Sequence, residues 1–171
     1  MRHQVSRDSL LRLIDSSNYN IFDVNLRLPH YSIDMLAETM DRSDFVKFND
    51  DEILEIGAAL GCLETDLEEL IKFFVQKFKL NTVCVTRGEK GAILFHENEF
   101  HEHSGFPVKV MDTVGAGDSF LATLINGLFQ NISPSMALEK ACAVGAMVAS
   151  SEGANPVLTS QQIDQFIQSY D

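Results

Sequence analysis

Apolar positions along this chain alternate between helical and strand spacing. Leu10, Leu11, Leu13 and Ile14 mark one face of a helix over 6–17, with Ser6 as its cap. Residues 19–25 (YNIFDVN) read as a short strand, and Ser32 caps a helix bearing Ile33, Leu36, Ala37 and Met40. Residues 44–48 read as a second strand, and Asn49 opens a helix through Leu60. Thr65 with Glu68 has the spacing of a capping box before Leu67, Leu70, Ile71, Phe74 and Phe78. Residues 82–86 (TVCVT) suit a strand buried on both faces. A turn at 87–90 then leads to a hairpin of 92–96 and 100–103 and a short strand at 107–111. Helices are expected at 115–130, 134–150 and 160–170, the second started by Ser133-Pro134.

Such alternation predicts an α/β fold layered around a mostly parallel sheet. Ligands of these sheets sit beyond the carboxyl ends of the strands. The polar residues there are Asp23 and Asn25, Lys47 and Asn49, Thr86 and Gly88, and Asp112 with its following loop.

Composition narrows the partners. With 171 residues the chain has the length of one domain, and its formal charge of −12 argues against a nucleic-acid partner. No apolar run reaches the roughly 18 residues that cross a bilayer, and the first ten residues lack a signal-peptide core. Cys62, Cys84 and Cys142 stand in apolar contexts without a CxxC, which predicts buried, reduced thiols and a cytoplasmic location.

The most informative stretch is Asp112-Thr-Val-Gly-Ala-Gly-Asp-Ser-Phe120. It follows a strand and opens a helix. Gly115, Ala116 and Gly117 let backbone approach a ligand, and amides at a helix start are free to bind an anion such as a phosphoryl group. Two readings of Asp118 stand at this point. It is a helix-start acid favoured by the dipole, or a base taking a proton from an attacking hydroxyl beside that anion site. GxxxxGK[ST] is absent, and Phe120 occupies the third glycine of GxGxxG, so a P-loop and a dehydrogenase-type site are both disfavoured.

DTVGAGDSF resembles the carboxy-terminal signature of the ribokinase-like, phosphofructokinase-B (PfkB) carbohydrate kinases. Asn49-x-x-Glu52, Thr86-x-Gly88-x-x-Gly91 and Gly153-Ala-Asn155-Pro resemble further motifs of that family, in its order, from about Ser6 onward. The resemblance implies a three-layer ribokinase-like (Rossmann-like) fold, with residues 1–171 as one nucleotide-binding and catalytic half. It implies phosphorylation of a sugar hydroxyl by ATP, with Asp118 as base and Gly115–Gly117 as anion hole. Lys47, Asn49, Thr86, Gly88, Gly91 and Asn155 resemble nucleotide contacts. Glu52 resembles a residue that influences Mg2+, and Asp112 one that binds a monovalent cation such as K+ in some members. Asp23-Val-Asn25-Leu-Arg27 is similar to the DxNxR segment of fructokinase-type members, which places Asn25 and Arg27 toward a substrate such as fructose, another hexose or a sugar acid.

Family members are longer. Their amino-terminal strands, Gly-Gly sugar motif and β-sheet lid are not visible here, so the chain is expected to be truncated at its amino terminus, with impaired sugar binding and lid closure. The full-length form is expected to use the lid in a homodimer. The competing expectation is an inactive fragment that serves as a nucleotide-binding or regulatory partner. His101 and His103 share a strand face without completing a metal set, and Ala141, Gly145 and Ala149 suit close helix packing.

Overall fold

The structure, a computed structural model, describes residues 4–27 and 30–170. In chain order it contains α1 (Gln4–Ser16), β1 (Ile21–Asp23), α2 (Ile33–Met40), β2 (Phe45–Asn49), α3 (Asp50–Ala59), α4 (Leu67–Phe78) and β3 (Thr82–Thr86). These are followed by β4 (Ala92–His96), β5 (Glu99–His103), α5 (Ala116–Phe129), α6 (Pro134–Ala149) and α7 (Ser160–Gln168). The five strands form one sheet in the order of the chain, with β1, β2 and β3 parallel. The mostly parallel α/β sheet expected from the alternating pattern is therefore present.

The described residues group into two compact units, the first reaching Thr86 and including Phe95–Glu99, the second holding the remainder from Arg87. In the first unit, β2 and β3 are buried along their first four residues, because parallel strands are covered on both faces. The Phe48 and Phe74 rings pack with centroids 4.8 Å apart, joining β2 to α4. A Cβ on Gly57 would stand 2.8 Å from Leu70 Cδ2, so this glycine lets α3 and α4 approach closely. Glu97 and Asn98, at φ 49° and 69°, make the two-residue turn between β4 and β5.

In the second unit, α5 packs on α6 through small residues. A Cβ on Gly127 would lie 2.7 Å from Ala137 Cβ, and one on Gly145 would lie 3.5 Å from Phe120 Cβ. The close packing expected of the 141–145–149 row thus includes Gly145 against Phe120. The Phe106 ring meets Phe166 and Tyr170, each at 5.2 Å between centroids, which seats α7.

Several local expectations are corrected. Helix α1 begins at Gln4, so Ser6 lies inside it and is not its cap. Asp66, not Thr65, caps α4 by accepting the Glu69 amide at 3.1 Å. The carboxylate one residue later offers the stronger acceptor at a helix start. Residues 107–111 form no strand. Pro107 lacks an N–H, its carbonyl accepts the Tyr170 hydroxyl at 2.8 Å, and the Met111 amide donates to Ala149 O at 2.8 Å. Those bonds go to α6 and to Tyr170, beyond the end of α7, rather than to a neighbouring strand.

Candidate functional site

In the second unit, Gly115 occupies the N-cap of α5 with φ 81° and provides no side-chain cap. The Ala116 amide donates to Thr113 O at 3.2 Å, and Asp112 Oδ1 accepts the Val114 amide at 2.9 Å, closing the preceding turn. The amides of Gly117 and Asp118 have no acceptor among the described residues. Two free donors at the positive end of a helix are the arrangement that anion binding requires. A Cβ on Gly117 would meet nothing within 4 Å, so the space before it is open. Asp118 is exposed in this first turn and joins no ion pair among the described residues.

Gly115 is different. The room its missing Cβ leaves is filled by the carbonyl of Ala154. The two glycines of the motif therefore differ in their surroundings. Gly115 is required by packing of the 153–156 loop, whereas Gly117 faces open space. Asn155, in that loop, is exposed. Gly88 (φ 58°) and Gly91 (φ 76°) bracket a single 3-10 turn, and Gly91 lies against the backbone of His103 and Gly105. Only glycine suits that contact.

In the first unit, Lys47 is buried on β2 and pairs through Nζ with Asp23 Oδ1 at 2.9 Å. Asn49 caps α3, accepting the Glu52 amide at 2.8 Å, while Glu52 Oε2 accepts the Asn49 amide at 2.9 Å. Glu52 Oε1 accepts the Leu26 amide at 2.8 Å. Both oxygens of this buried carboxylate are thus engaged by backbone donors. Asn25 adopts φ 42°, and Asn25 and Arg27 are exposed. The Thr86 hydroxyl donates to Phe48 O at 3.3 Å.

Among the described residues no three His, Cys, Asp or Glu side chains gather to hold a metal. His101 Nδ1 lies 3.0 Å from Ser135 Oγ, and His103 Nδ1 accepts the Gly105 amide at 3.0 Å. Cys62, Cys84 and Cys142 are buried, as expected. No described helix is long and apolar enough to cross a membrane. Sequence reasoning missed the Asp23–Lys47 pair and the Glu52–Leu26 bond. Asn-x-x-Glu before an apolar run is a capping-box signal in its own right and was the available clue to Glu52's engagement.

Comparison with known proteins gives this geometry a family. A model described as pfkB family carbohydrate kinase matches residues 4–161. Fructokinase-2 of Solanum lycopersicum is 33% identical over 150 residues, covering 80% of this chain and 44% of its own length. A fructokinase of Salmonella typhimurium is 27% identical over 154 residues, covering 82% of this chain and 48% of its own length. A fructokinase structure from Vibrio cholerae O395, in fructose-, ADP- and calcium-bound form, superposes with TM-score 0.81 at 27% identity. That match spans 96% of this chain and 57% of the other. The chain therefore spans about half the length of the relatives it matches. With the family match running across both units, this chain belongs to the pfkB family of carbohydrate kinases.

Proposed function

We propose that residues 1–171 act as the nucleotide-binding and catalytic half of an ATP-dependent kinase for fructose or a related hexose or sugar acid. The observation that carries this reading is the pair of unpartnered amides at Gly117 and Asp118, set beside the exposed Asp118 carboxylate and an open approach at Gly117. ATP supplies the γ-phosphoryl group. The turn at Gly115–Gly117 holds it, with the Gly117 and Asp118 amides as donors whose attraction grows as charge moves onto its oxygens. Asp118 takes the proton of the attacking sugar hydroxyl. The new bond joins that oxygen to phosphorus, the bond to the leaving oxygen breaks, and ADP departs.

The remaining roles follow the family pattern. Lys47, Asn49, Thr86, Gly88, Gly91 and Asn155 serve the nucleotide, and Asn25 and Arg27 serve the sugar. Arg27 is suited to it, being exposed and cationic in the loop after β1. Mg2+ would accompany the ATP phosphates and offset their charge, with Glu52 as the residue that would influence its binding indirectly. One Asp112 oxygen holds the turn and the other is left for a monovalent cation such as K+.

The test is ADP release with fructose, comparing the chain with Asp118→Asn. Loss of a positioned base should lower turnover by about 10²–10⁴-fold. ADP affinity should be unchanged. An Asp118→Asn protein that keeps full turnover removes the base from the account. A chain that binds ADP but turns over nothing is a nucleotide-binding partner instead.

A further inference from the structure

The loop after β1 carries Asn25 and Arg27, yet it has few backbone bonds of its own. Among the described residues, the end of β1 and the loop after it are tied to their neighbours at three points. The Val24 amide donates to Lys47 O at 3.1 Å, Asp23 pairs with Lys47 at 2.9 Å, and the Leu26 amide donates to Glu52 Oε1 at 2.8 Å. Leu26 lies between the two residues of interest, and no backbone carbonyl among the described residues accepts its amide. The Glu52 carboxylate that does accept it is only 8% exposed. Its other oxygen is held by the Asn49 amide at the start of α3.

We propose that Glu52 is a positioning residue whose buried carboxylate, bridging the Leu26 and Asn49 amides, sets the loop that presents Asn25 and Arg27. A carboxylate accepting two backbone amides makes charge-assisted bonds, stronger than neutral ones. Its direction is fixed at both ends, so the loop inherits the orientation of the α3 start. Asn25 at φ 42° is held in a conformation that asparagine tolerates better than most residues, and the neighbouring bond at Leu26 helps retain it. The link from this loop to sugar recognition rests on the reading under Proposed function. The tether itself does not.

The experiment reads both separately. Amide hydrogen exchange by NMR on the chain as it stands should find Leu26 protected, although no backbone carbonyl pairs with it. Glu52→Met removes both acceptors and should speed Leu26 exchange by about tenfold or more. Val46 and Val83, in the β2–β3 core, should stay protected. Glu52→Gln keeps one acceptor oxygen and should restore protection at one of the two amides, Leu26 or Asn49. If Glu52→Met fails to fold, wild type and Glu52→Gln still decide.

In parallel, calorimetric titration with fructose should show binding weakened about tenfold in Glu52→Gln and in Arg27→Ala, and no weaker in the double variant than in Arg27→Ala. Leu26 exchanging at an unstructured rate in wild type overturns the tether. A fully additive double variant, or fructose binding unchanged in Glu52→Gln, overturns the positioning role. Wild type that binds no fructose sinks the sugar-site reading and leaves Leu26 exchange to judge the tether.

Discussion

The carbonyl of Ala154 occupies the space that a side chain on Gly115 would need. Gly115 also sits at φ 81°, so two independent constraints require glycine there. Gly117, two residues on, has neither constraint. The two glycines of one motif should therefore fail in different ways. Gly115→Ala should lower stability by about 1–3 kcal/mol through the left-handed backbone alone. Gly117→Ala should change stability by no more than about 1 kcal/mol. Yet it should reduce phosphoryl transfer, because a methyl group enters the open approach. Thermal unfolding and ADP release, measured on both variants, separate these effects. A Gly117→Ala protein with wild-type turnover would show that the open space is not used.

The Asp23–Lys47 pair is unequal in burial, with side-chain exposures of 24% and 8%. Removing the better-solvated member strands the less-solvated one. Asp23→Ala should thus destabilise by about 1–3 kcal/mol, as expected for a buried charge left without its partner. Lys47→Met should cost less, because Asp23 can be hydrated. Urea unfolding of the two variants tests the ordering, and an equal or reversed loss contradicts it.

Cys142 lies on α6, and burial pushes its thiol up to about 12, against an attractive Arg87 and a repulsive Glu139. A thiol kept neutral in the fold but ionising near 9 in the unfolded chain favours folding fully below pH 9. As pH rises from about 9 toward 12, the unfolded chain binds fewer protons than the native one, and that contribution is lost. Native protein should leave Cys142 unmodified by a thiol reagent at pH 8, with modification following only on unfolding. Rapid native labelling would contradict the burial of this helix face.

Much of this was readable from the residues. Strand β3, with its TVCVT run, and the α5 signature were visible because a buried parallel strand and a small-residue helix start each leave a local mark. The misreadings came where two local options competed. Thr65 and Asp66 are both good caps, and only the backbone path of α4 selects Asp66. Residues 107–111 look like a strand, but their amides and carbonyls find partners in α6 and at Tyr170. In the candidate site, Gly115 could not be told from Gly117, since the Ala154 contact joins positions far apart in the chain. Likewise the Leu26–Glu52 bond leaves no trace at Leu26, whose side chain takes no part in it.

The account rests on the start of α5 binding the phosphoryl group through the backbone of Gly117 and Asp118. Amide chemical shifts recorded while the chain is titrated with a non-hydrolysable ATP analogue and Mg2+ test this directly. The account predicts that the Gly117 and Asp118 amides move among the farthest downfield, as new hydrogen bonds to phosphate form. Nucleotide binding that leaves both amides unshifted would contradict it.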